Sequence, residues 1–152
     1  VTPAPGTRHQ EVKANLFDSL RHHVTQHGLG KLFDAPTDCI LSETTIVQPD
    51  ILVFVQNDRL TIISRRGVEG APTLVVEVLS PSTVQIDRGP NAQLHARHGV
   101  PYYWVVDPDS LAIDAYVLGE GVYRSAARLE DDRPLALPPF LDLMLNPADL
   151  WA

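Results

Sequence analysis

The chain has one cysteine, Cys39, so no internal disulfide can form. A lone cysteine fits a reducing compartment, and a cytoplasmic location is expected. Lysine is nearly absent: Lys13 and Lys31 are the only two, both early in the chain. Basic residues number 12 against 19 acidic ones, and the net charge is −7. A protein that coats nucleic acid through phosphate contacts alone is usually basic, so that class is disfavoured. A metal-dependent nuclease is not, because a bound metal supplies positive charge where the phosphate sits. No apolar run reaches the roughly 18 residues of a membrane span, so no transmembrane helix and no membrane partner are expected. Repeats, low-complexity segments and long linkers are also missing. Met144 is the only methionine and the first residue is Val1. A native N-terminal segment upstream of Val1 is therefore expected.

What is present suits a globular domain. The 152 residues are 44% hydrophobic, enough for one core, and a single domain over 1–152 is expected. Val12, Leu16, Leu20 and Val24 recur every four residues, which predicts a helix over 8–27. Thr7 suits its N-cap, with Gln10 as capping-box partner, and Gly28 suits its end. Short apolar runs at 39–42 and 51–55 predict strands. Residues 60–63 read as a strand or a loop. Leu74–Leu79 is nearly continuous valine and leucine, as in a strand buried on both faces. Residues 89–98 look helical and Gly99 ends them. Residues 101–107 and 113–117 predict strands, and Gly119–Gly121 a turn into Val122–Arg124. The tail LPPFLDLMLNPADLW is apolar enough to dock on the core. Helices alternating with strands make this an α/β (α+β) chain with a mixed sheet and helices packed on its faces.

One residue disturbs the pattern. Residues 74–83 read LVVEVLSPST, and Glu77 sits inside the apolar run. A buried carboxylate is tolerated when it is paired, protonated or bound to a metal. Pro49-Asp50 opens the strand at 51–55, and Glu77 lies inside the next strongly predicted strand. If the two strands are neighbours, Asp50 and Glu77 project from one end of the sheet. Two carboxylates, the Val78 carbonyl and several waters are what magnesium needs. Such an ion polarises a phosphodiester and activates its bound water. The alternatives are a Glu77 ion-paired to an arginine and an Asp50 that only shapes a Pro-Asp turn.

These residues resemble the PD-(D/E)XK nuclease pattern, and most closely the Uma-type restriction endonuclease family. The resemblance is carried by TPAPGTRHQ, QPD, APTLVVEVLSPST, IDRGPN, HARHGVPYYWVVDP and the final DLW, in that order along nearly the whole chain. It implies a restriction-endonuclease-like core, a mixed, roughly five-stranded sheet flanked by helices on both faces. It implies hydrolysis of DNA to a 5′-phosphate and a 3′-hydroxyl, with Mg2+ or Mn2+ held by Asp50, Glu77 and Val78. It also implies a homodimer, because nucleases of this kind pair to cut both strands. No small-molecule cofactor is expected.

One position departs from the pattern. The family's lysine, in D-R-x-x-K, is replaced here by Asn91 after Asp87-Arg88. A lysine there would position water and offset transition-state charge. Asparagine can orient water without charge, and Arg88 stands nearby in sequence to supply it. This departure opens the alternative of a catalytically impaired nuclease fold that binds DNA or a protein.

The remaining candidates have plainer explanations beside the functional ones. Asp87 is a helix cap or an outer-shell group. Glu11 is an outer-shell group or part of a solvated helix face. His9, at the family's recurrent histidine, contacts the site or makes a structural hydrogen bond. His22, His23 and His27 lack a third zinc ligand at suitable spacing and are expected on an exposed face. Tyr102, Tyr103 and Trp104 read as core or dimer contacts, or as stacking residues for bases. Arg65-Arg66 suits a phosphate contact or plain surface charge. Ser80 has no nucleophile elbow around it.

Overall fold

Val12, Leu16, Leu20 and Val24 lie on one stripe of helix α1 (Thr7–Gln26), each no more than 3% exposed. Each such burial contributes roughly 1.5–3 kcal/mol, which holds the helix against the sheet. The computed structural model describes residues 7–34, 37–47, 52–79 and 92–152. Thr7 lies inside the helix rather than capping it. Gly28, at φ +59°, ends it. There the Gly28 and Leu29 amides donate to the Thr25 and Val24 carbonyls, the paired bonds of a Schellman motif.

Among the described residues, ten strands follow the helix or interleave with two shorter helices. They are β1 (Gly30–Asp34), β2 (Cys39–Ser42), β3 (Thr45–Val47), β4 (Leu52–Gln56), β5 (Ile63–Ser64), β6 (Gly67–Glu69), β7 (Leu74–Val78), β8 (Tyr102–Asp107), β9 (Ala112–Gly119) and β10 (Val122–Leu129). Helix α2 (Ala92–Arg97) precedes β8, and α3 (Pro147–Trp151) closes the chain. The main sheet has six strands in the order β1-β4-β7-β8-β9-β10. Only β7 and β8 run parallel; the other neighbours are antiparallel. The mixed sheet agrees with the sequence, with one strand more than five. A four-stranded sheet, β3-β2-β6-β5, lies apart from it in pairing. The sequence reading did not anticipate that small sheet, because its strands of two to four residues are too short to show a period. The ambiguous stretch at 60–63 divides between a 3-10 helix (Asn57–Ile62) and β5.

All five residues of β7 are buried, because both faces of the sheet are covered. On one face Val76, Val78, Trp104, Val106, Ile113 and Ala115 pack with α1 and the C-terminal segment. That segment inserts Leu137, Phe140, Leu145 and Leu150, so the apolar tail docks as expected. The Trp104 indole N–H donates to the Pro138 carbonyl at 2.8 Å. On the other face Val75, Leu79, Tyr103 and Val105 pack against Ala92 of α2. Beside them, Val53 and Val55 of β4 pack against Cys39 and Val68 of the small sheet.

Turns are dictated locally. Glu120 and Gly121 both have positive φ, 52° and 78°, and join β9 to β10 as a two-residue hairpin of primed type. Asp107 ends β8 by accepting from the Asp109 and Ser110 amides and the Ser110 hydroxyl.

Candidate active site

Side chains alternate along β7, so Glu77 shares a face with Val75 and Leu79 rather than with Val76 and Val78. That face is the one covered by α2 and the small sheet. Glu77 is 3% exposed and pairs across the sheet with Val105. Cys39, at the start of β2, lies close enough to feel its charge. Burial first, then the Glu77 carboxylate and Asp38, push the Cys39 thiol up to about 12. The thiol therefore stays protonated near neutral pH and offers no nucleophile.

Val78 is the last residue of β7, and its carbonyl is met by His9. The His9 Nε2 lies 3.0 Å from the Val78 oxygen. A carbonyl can only accept, so Nε2 donates its proton there. His9 is 8% exposed, and its Nδ1 is buried without a hydrogen-bond partner among the described residues. The helix that carries His9 is clamped at several points. The Arg8 guanidinium donates to the Trp151 carbonyl at 2.9 Å, and the Asn15 amide donates to the Leu150 carbonyl at 3.1 Å. Lys13 pairs with Asp34 of β1 at 2.9 Å. One of the chain's two lysines is thus engaged at a sheet edge. The geometry brings Glu77, the Val78 carbonyl and His9 to the carboxyl end of the central strand. In open mixed sheets that end is where ligands sit.

The other sequence candidates separate from this group or lie elsewhere. Asp50, Asp87, Arg88 and Asn91 fall outside the described residues, as does Ser80. Leu52, at the start of β4, pairs with Val76. The chain therefore enters β4 beside the end of β7 that holds Glu77 and Val78. Glu11 is exposed on α1, on a solvated helix face. Among the described residues, no group of three or more His, Cys, Asp or Glu side chains is placed to hold a metal ion. The oxygen donors there are the Glu77 carboxylate and the Val78 carbonyl, which His9 holds in place, and hard oxygen ligands suit magnesium or manganese. They fit such an ion only as part of a set.

The histidines on α1 do not all lie on an exposed face. His22 and His27 are exposed, but His23 is 7% exposed. Its ring stands edge-on to Phe140, with centroids 6.0 Å apart. His23 is buried because the C-terminal segment covers this turn of α1, which periodicity within the helix cannot reveal. Tyr103 and Trp104 are core residues, as expected. Arg66 pairs with Glu69 at 3.0 Å on the surface.

Sequence reasoning missed His95. It is 2% exposed on α2, against the Tyr103 ring at 5.6 Å. Burial, and then the charge of His98, lower its pKa to about 4. Its helical spacing from Ala92, three residues before it, was the only available signal.

The six-stranded mixed sheet, with helices packed on both of its faces, defines an α/β fold. A solved structure described as "a putative nuclease belonging to DUF820" from Anabaena variabilis ATCC 29413 superposes with a TM-score of 0.78. It is 20% identical, over 98% of this chain and 83% of that one. A family model, Uma2, described as "Putative restriction endonuclease", matches residues 1–148. The chain belongs to that family. Comparison with curated proteins finds no match.

Proposed function

We propose that this chain is a divalent-metal-dependent endonuclease that hydrolyses DNA phosphodiester bonds. Glu77, the Val78 carbonyl and Asp50 would hold Mg2+ or Mn2+. The observation that carries the reading is a 3%-exposed glutamate beside a strand-end carbonyl that a histidine from another element holds in place. A carboxylate at the carboxyl end of the central strand is a hard oxygen ligand of the kind that magnesium and manganese take. When bound, that ion would polarise the phosphodiester and lower the pKa of its water. His9 orients the Val78 carbonyl from the α1 face, while Glu77 contributes from the opposite face of β7. Asn91 stands where the family pattern has lysine, and its role would be to orient the attacking water. The products would be a 5′-phosphate and a 3′-hydroxyl, and a homodimer would place one site on each strand.

The replacement of lysine by Asn91 and the net charge of −7 favour a second reading. In it, the chain is a catalytically impaired nuclease fold that binds DNA or a protein. One experiment separates the two. Parent, Asp50→Ala and Asn91→Lys proteins are incubated with supercoiled plasmid in magnesium and then in manganese. Nicking by the parent that vanishes in Asp50→Ala supports the nuclease. Cutting only by Asn91→Lys supports a disarmed site. Retained cleavage in Asp50→Ala overturns the metal assignment.

A further inference from the structure

A cavity of about 720 Å³ opens on the same sheet face as Glu77, between α2 and the β9–β10 hairpin. Ligand sites commonly span roughly 300–1,000 Å³. Val105, Tyr103, Tyr116 and Tyr123 form its sheet side, and Ala92 and Ala96 its helix side. Val105 is the cross-strand partner of Glu77, so the cavity begins one strand away from the candidate active site. Tyr116 pairs with Tyr103, which pairs with Val75. By sheet spacing, its main chain lies roughly 12 Å from that of Glu77.

Tyr116 and Tyr123, both half-buried, make the accessible part of the floor, and Tyr103, 1% exposed, backs them from the core. Tyr103 and Tyr123 are stacked, 5.3 Å apart and inclined by 21°, and Tyr116 lies 6.4 Å from Tyr103. The Tyr123 hydroxyl donates to the Val100 carbonyl at 2.7 Å, which locks that ring. Small residues on α2 leave the space above the rings open. Gln93 and Arg97, both exposed and one turn apart, also line it. Arg97 is the only charged side chain among the described lining residues, and it is cationic in a chain of net charge −7.

We infer that this groove takes an unpaired nucleobase of the DNA strand, a neighbour of the phosphate at Glu77. Flat rigid rings bind bases by stacking without regard to sequence, and a rim arginine pairs with the adjoining phosphate. The identity of the occupant rests on the nuclease reading, while the groove's capacity to bind single-stranded DNA does not. On this reading, substrate preference and chemistry share one face of the sheet. DNA with an unpaired nucleotide near the cut is preferred over continuous duplex, because no unstacking is then required.

The test uses a 12-nucleotide oligothymidylate carrying 5-iodouracil, the parent, and the variants Tyr116→Leu, Ala96→Phe and Arg97→Ala. Binding is read by anisotropy in EDTA, cross-linking by mass spectrometry, and nicking on plasmid in parallel. Arg97 is exposed, so its variant keeps the fold, and the other two are checked by thermal melting. The expected result is cross-linking to peptides of the groove and affinity about tenfold weaker in each variant, the effect of losing one stack or phosphate pair. If the parent nicks plasmid and all three variants bind and cut as it does, the groove inference falls and the nuclease reading stands. If the parent binds in the groove but cuts nothing, the groove stands and the nuclease reading falls. A parent dimer that Ala96→Phe converts to monomer assigns the groove to a second copy and overturns the inference.

Discussion

His9 and Val78 are 69 residues apart in sequence, and their ring nitrogen and carbonyl oxygen meet at 3.0 Å. The contact joins the first turn of α1 to the last residue of the central strand. It makes the Val78 carbonyl a fixed group rather than a strand end free to fray. α1 is itself clamped to the chain's last residues, so it ties three distant segments together.

That contact gives the first prediction. His9→Ala is expected to weaken manganese binding and plasmid nicking by about 10–100-fold, the usual effect of losing an outer-shell partner. His9→Gln, whose amide can also donate, is expected to restore most of both. Calorimetric titration beside the nicking assay checks this, and an alanine variant equal to the parent would remove His9 from the site.

His95 gives a pH dependence. Its folded pKa is about 4 against 6.5 for the free side chain. The unfolded chain therefore binds the proton more readily between those values. The stability it contributes is fully present above pH 6.5 and is lost as pH falls toward 4, by about 3 kcal/mol in total. Urea midpoints of parent and His95→Phe across that range are expected to diverge, with the variant losing less. Parallel curves would show that burial of His95 has no such consequence.

Trp104→Phe tests the docking of the tail. The variant keeps an aromatic ring but leaves the Pro138 carbonyl without its 2.8 Å donor. An unmet acceptor costs about 1–3 kcal/mol when fully buried, and about 1 kcal/mol is expected at this half-buried one. Denaturant unfolding followed by circular dichroism reads the loss, and an unchanged midpoint would mean that water replaces the indole.

Gly67 tests the small sheet. Its φ is +134°, and a Cβ there would run into the Asp38 carbonyl, which also accepts from the Val68 amide at 2.8 Å. Gly67→Ala is expected to destabilise by about 2 kcal/mol or more, through strain and through the bond it displaces. Gly99 has open space around its Cβ position, so Gly99→Ala meets only the strain of φ +79° and serves as the milder comparison. Equal melting temperatures for the two variants would contradict the clash.

Much of this molecule was legible without coordinates, for a definite reason. Features set by neighbours in the chain carry their own signatures. The four-residue repeat of Val12 to Val24 specifies one buried helical stripe. The glycines Gly28 and Gly99 specify where helices stop. The uninterrupted run from Leu74 specifies a strand covered on both faces, and Glu77 stands out against it at once. Other features are decided by segments that meet only after folding. The contact of His9 with Val78, the covering of His23 by Phe140, the short strands of the small sheet and the tyrosine groove all depend on long-range register. No local period encodes them, because each is a relation between residues whose spacing in sequence is arbitrary and whose spacing in space is fixed by packing.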